Sequence, residues 1–223
     1  LPRSRPLIGS LAGVEVVYRE PQSKRWDFPT VVGLYEPDAP PLEKPIPDLV
    51  DLPLENELPA DRVELLDLSG VANTDPFTAP FGVKNVGQLV FAGLPVGRGV
   101  FGGVPFQIVD PGRNDGRGLV VLHSSKAPAD VAGPRQVIIP VGRRGTRLFF
   151  LGNVSGWGGT DPGVGEWGAV AEYIIEYADE VTQTVPLITG RTIEDWTTKP
   201  AATDVFCGWR GDPWHLNVMG VRL

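Results

Sequence analysis

Cysteine is almost absent. Cys207 stands alone in 223 residues, so an intramolecular disulfide is excluded, as is a zinc site built on cysteine. Histidine is nearly as scarce. His123 and His215 are the two present, and neither sits in an H-x-H or H-E-x-x-H context, which removes clustered-imidazole metal hydrolysis. No apolar run approaches the ~20 residues needed to cross a bilayer. No useful window keeps a 3.6-residue period, so helix content should be low. An excess of positive charge is also missing. The net charge is −7, which disfavours nucleic acid and anionic membranes as partners, because both require neutralisation by Lys or Arg. A polyanionic polysaccharide would be repelled as well, unless a local basic patch gathers. The densest basic cluster is Arg143, Arg144 and Arg147, which reads first as a solvated strand end. The chain opens LPRSRPLIGS, with neither a methionine nor the apolar core of a signal peptide. It reads as a mature or trimmed piece of something larger.

What the chain has in quantity is turn chemistry. Glycine (28) and proline (23) are both high, beside 42% hydrophobic and 21% charged residues. That is a foldable core cut into short pieces rather than disorder. Short β-type runs alternate with turns from Val100 onward, as in an all-β sandwich or barrel. Strands are expected near Val63–Leu68, Gln88–Phe91, Val104–Val109, Gly118–His123, Gln136–Pro140, Arg147–Leu151, Ala169–Tyr177, Thr184–Leu187, Val205–Trp209 and His215–Leu223. An N-terminal hairpin is expected from Val14–Arg19 and Phe28–Leu34. Between it and the body, Glu36 to Ala60 is dense in Pro, Asp and Glu. Proline lacks the ladder N–H, so this segment reads as an extended connection lying on the body, with a domain linker as the alternative. The domain reading is therefore residues 1–60, hairpin plus Pro-rich connection, and residues 61–223, the β body.

Candidate chemistry is thin on the enzymatic side. Gly152–Gly156 (GNVSG) carries Ser155 one place late for a nucleophile elbow. Cys207, between Phe206 and Gly208, reads as a small buried hydrophobe. GVFGG and GVGEWG lack the lysine and helix of a phosphate loop. Paired carboxylates could be drawn from Asp161, Glu166, Glu172, Glu176, Asp179 and Glu180, but 27 acidic residues always offer such pairs. Binding chemistry is better represented. A sugar packs its C–H face on an aromatic ring and needs planar polar groups for its hydroxyls. There are six tryptophans, and two fall in the Gly-rich run Asn153–Trp167. Asn153, Trp157, Asp161, Glu166 and Trp167 are the candidate ligand-binding set. Trp209 and Trp214 flank a turn and form a second candidate pair. Trp196 reads as a packing residue. No cofactor is expected, although Asp110, Asn114 and Asp115 could supply oxygens to a structural Ca²⁺. Their alternative reading is a hairpin turn at Asn114-Asp115-Gly116.

The succession GVPF (Gly103–Phe106), P-x-x-V-x-I-P-V-G (Pro134–Gly142), FFLG (Phe149–Gly152), Y-I-I-x-Y-A-D (Tyr173–Asp179) and IEDW (Ile193–Trp196) resembles a β-sandwich domain of large secreted bacterial proteins of polysaccharide breakdown. It covers roughly Val63 to Trp196. The resemblance implies an all-β, two-sheet antiparallel sandwich of jelly-roll (galactose-binding-like) type. It further implies a secreted or cell-surface location beside glycoside hydrolase modules. The expected role is a non-catalytic carbohydrate-binding or accessory module with a polysaccharide or oligosaccharide as partner. The alternatives are a polysaccharide-active enzyme using Asp161 and Glu166, and a structural spacer or assembly domain.

Overall fold

In the computed structural model, the described residues are 9–18, 48–77, 91, 93–123, 133–154, 169–196, 202–211 and 214–223. They form nine strands and two short 3-10 turns: β1 Gly9–Tyr18, β2 Gly97–Phe101, β3 Val104–Ile108, β4 Gln136–Gly145, β5 Arg147–Gly152, β6 Ala171–Tyr177, β7 Thr182–Leu187, β8 Phe206–Arg210 and β9 His215–Arg222. Every ladder between them is antiparallel. The strand orders are β4-β1-β6-β7, β5-β9-β8 and the hairpin β2-β3. The chain is all-β, as its turn density requires.

The sheets stack because their strands alternate. In β6, Ile175 and Tyr177 are buried while Glu176 is exposed. With Leu11 and Val14 of β1 and Val185 and Leu187 of β7, they form one wall of a core closed by Met219 and Val221 of β9. Phe150 of β5 stacks face to face on Tyr173 of β6, with centroids 3.9 Å apart and planes 5° from parallel. That contact joins the two larger sheets. The opposite face of β9, carrying Leu216 and Val218, packs on a second core with Phe101, Val104 and Ile108 of the β2–β3 hairpin. β9 is thus covered on both faces, and seven of its eight residues are buried. Fully burying each such aliphatic side chain contributes roughly 1.5–3 kcal/mol.

Two glycine sites serve this layering. The β2–β3 turn places Gly102 and Gly103 at φ 59° and 79°, the left-handed pair that a two-residue hairpin of this twist requires. At Gly220 a Cβ would lie 2.8 Å from both Val50 Cβ and the Phe149 ring, so the chain crossing β9 there lies directly against its backbone.

That crossing chain is the described part of the Pro-rich segment. Residues 48–59 form neither strand nor helix. They are fixed by backbone bonds instead: Arg222 N–H to Asp48, Val50 N–H to Gly220, Leu54 N–H to Gly102 and Leu58 N–H to Gly103. The rest of the segment lies outside the described residues.

Three strand expectations differ from the structure. β1 does not form a local hairpin. Both its edges are taken by distant strands, Val14 facing Ile139 of β4 on one side and Ile175 of β6 on the other. Residues 28–34 lie outside the described set. Val63–Leu68 is extended without a ladder, and Gly118–His123 retains a single bridge, Thr74 to Leu119. The reason is visible beside it. The Asn73 side chain accepts from Val121 N–H at 2.9 Å and donates to Val121 C=O at 2.9 Å, making the bonds that a neighbouring strand would otherwise make.

Candidate functional site

Among the described residues, the β4–β1 side of the first sheet, β5, and the segments 58–68 and 118–123 line a cleft of about 1090 Å³. Its floor is apolar and aromatic, with Ile139, Val141, Phe106, Phe150 and Tyr173 among the lining residues. Charged and planar polar groups stand around it: Asp61, Arg62, Glu64, Gln107, His123 and the arginines of the β4–β5 turn. The Arg143 guanidinium donates to the Glu64 carboxylate. This bond and the nearby negative charge raise the arginine above its ordinary pKa. Tyr173 is pushed up to about 12 because burial penalises the phenolate.

Asn153 lies on the cleft wall where β5 ends. Its amide continues the β5–β9 ladder beyond the last backbone pair. Nδ2 donates to His215 C=O at 3.0 Å, and Oδ1 accepts from Asn217 N–H at 2.9 Å. The next residue, Val154, turns instead to Glu194 and Trp196 through backbone bonds of 2.9 and 3.1 Å. Asn153 and Val154 are therefore fixed to two segments, β9 and residues 194–196. Trp157, Asp161, Glu166 and Trp167 lie outside the described residues. Asn153→Ala should lose about 1–3 kcal/mol in urea unfolding, because it leaves the buried Asn217 N–H without an acceptor. A change under about 0.5 kcal/mol would show that the ladder extension contributes nothing.

The second tryptophan pair packs. Trp214 is buried and stacks on Trp196 at 4.3 Å and 16°, and Trp209 meets Phe91 edge-on at 6.0 Å. Trp196 is buried too, in keeping with its reading as a packing residue. The Ca²⁺ candidates are held in turn bonds. Asp110 accepts from Gly112 N–H, Asn114 donates to the carbonyls of Ser69 and Arg117, and Asp115 pairs with Arg117. Among the described residues no three His, Cys, Asp or Glu side chains gather as a metal site. Cys207 is a half-buried thiol 3.6 Å from the Trp209 carbonyl. Of the carboxylate candidates, Asp179 and Glu180 occupy the exposed β6–β7 turn, and Glu176 is exposed.

Sequence reasoning missed a buried polar cluster. Glu194 Oε2 lies 3.6 Å from His215 Nε2 and 3.5 Å from Asn217 Nδ2, and all three residues are at most 3% exposed. The signal was present in β9. His215 and Asn217 fall in phase with Met219 and Val221, so two polar residues share the face that builds the first core.

No family model, curated protein or solved structure matches the chain. The resemblance to polysaccharide-degradation domains thus rests on the quoted residues alone, and no match supports it.

Proposed function

We propose that the chain is a non-catalytic carbohydrate-binding or accessory module, secreted or displayed at a cell surface. In this reading it holds a polysaccharide or oligosaccharide for neighbouring catalytic modules of a bacterial degradation system. The observation that carries this reading is the cleft. Its volume reaches the upper end of the range for small-ligand sites, which suits a run of sugar units better than a single small molecule. The half-buried Phe106 ring offers a stacking surface for a C–H face, and the surrounding Gln107, Glu64 and arginines offer directional partners for hydroxyls. Trp157 and Trp167, which follow Val154 in the sequence and lie outside the described residues, are kept as candidate stacking residues. The jelly-roll kinship belongs to this proposal as well.

The test is affinity electrophoresis against a panel of soluble polysaccharides, followed by variants on a responding one. Phe106→Ala and Trp157→Ala should each weaken retardation several-fold, since one stacking contact is worth on the order of 1 kcal/mol beyond burial. Circular dichroism of each variant should match the parent. Loss of binding in neither variant moves the site away from the cleft. Absence of retardation by every polysaccharide overturns the binding reading in favour of a spacer or assembly role.

A further inference from the structure

The arginines of this protein are distributed unevenly with respect to their partners. Arg113, Arg117, Arg143, Arg191 and Arg222 each pair with a carboxylate, and Arg135 also has a partner. Among the described residues that leaves Arg62, Arg98, Arg144, Arg147 and Arg210 without an ion pair. Three of these, Arg62, Arg144 and Arg147, line the cleft. The cleft's charged lining is four guanidinium groups against two carboxylates, Asp61 and Glu64, and Glu64 is already engaged by Arg143. A protein of net charge −7 has thus, among its described residues, gathered an excess of positive charge at the β4–β5 end of this cleft.

From this we infer that the cleft takes an acidic polysaccharide, one carrying carboxylate or sulfate groups. The inference rests on the carbohydrate reading and names its ligand class. Guanidinium is suited to such groups because its planar fork meets a carboxylate or sulfate with two parallel hydrogen bonds and keeps its charge at any working pH. Clustered guanidinium groups repel one another in the free protein, and a bound anion relieves that repulsion. The negative remainder of the surface would repel the same polymer elsewhere, confining it to the cleft. Asp61 works against the inference as a local negative charge, and the arginines outnumber it.

The experiment uses matched polymers. Polygalacturonate is compared with its fully methyl-esterified form, and dextran sulfate with dextran, by affinity electrophoresis and titration calorimetry at low and high NaCl. Within at least one pair, the acidic member should bind on the order of tenfold or more tighter, with the preference shrinking in salt. The pair that responds tells carboxylate from sulfate. In the exposed double variant Arg144→Gln/Arg147→Gln, and separately in Arg62→Gln, the preference should fall several-fold while circular dichroism and unfolding midpoint stay unchanged. Equal binding of acidic and neutral members overturns the inference and leaves the carbohydrate reading standing. Acidic binding that persists unchanged in both variants also overturns it, as attraction not owed to the cleft. No binding to any of the four polymers, nor to a wider neutral panel, overturns the carbohydrate reading itself.

Discussion

Trp196→Ala is expected to lose about 3–5 kcal/mol of stability, the range for removing a large aromatic from a close-packed interior. The indole is buried, stacked on Trp214 at 4.3 Å and tilted against Phe91 at 5.5 Å. Its removal leaves one face of each of those rings without contact. The backbone of the same residue joins two other segments, donating to Val154 C=O at 3.1 Å and accepting from His215 N–H at 3.0 Å. A cavity at Trp196 therefore opens beneath the origin of the Trp157 loop. Urea unfolding gives the loss, and near-ultraviolet circular dichroism should show the Trp196–Trp214 couplet disappear. Trp196→Phe should retain more than half of the stability lost in the alanine variant, since a ring still fills most of the space. A loss below about 1 kcal/mol for alanine would mean that the stack is peripheral to the fold.

Alkaline conditions should weaken the protein through Tyr173. Its hydroxyl is pushed up to about 12 from 10.0 by burial. In the unfolded chain the same phenol ionises near 10. Above that pH the unfolded state gives up its proton first, and its free energy falls relative to that of the folded state. The stability at stake is fully present below pH 10 and is lost as pH rises through 12. Two decades of proton affinity correspond to about 3 kcal/mol. This is an upper figure, because Tyr173 keeps some exposed surface as a residue. Unfolding free energies measured from pH 9 to 12 should fall more steeply for the parent than for Tyr173→Phe, which also keeps the stack on Phe150. Identical slopes would show that the phenol is solvated in the folded protein.

The sequence spoke clearly where structure is local. β3, β5, β6, β7, β8 and β9 fall close to their expected runs, since each has alternation or a continuous apolar stretch ended by turn residues. The glycines of GVFGG are tested in the sequence only against a phosphate loop, and β2 is not legible there, because Gly97 and Gly99 hide its strand character. Pairing over long distances left no local mark. Nothing in Gly9–Tyr18 says that its partners lie at Gln136–Gly145 and Ala171–Tyr177. The runs 63–68 and 118–123 carry strand-like composition without a ladder; in 118–123 a side chain, Asn73, holds Val121 in place of a strand. At the site, Asn153 was legible as a polar residue at a strand end. That its amide would serve the β9 backbone was not, since that role depends on where β9 lies in space. The arginines of the β4–β5 turn read as a solvated end because the carboxylates that neutralise arginines elsewhere can be assigned only once the chain is folded.

The middle strands of the two larger sheets impose an order on synthesis. β1 is made early, yet its first partner is more than a hundred residues away. β9 follows all the other described strands, yet it separates β5 from β8. Both ladders of the second sheet therefore wait for residues 215–222 to leave the ribosome. Until then the apolar faces of β5 and β8 have no strand to lie against, as expected for folds rich in non-local pairing. A nascent chain stalled before Trp214 carries seven of the tryptophan, histidine and arginine side chains named above as packing or cleft residues, and no second sheet on which to arrange them.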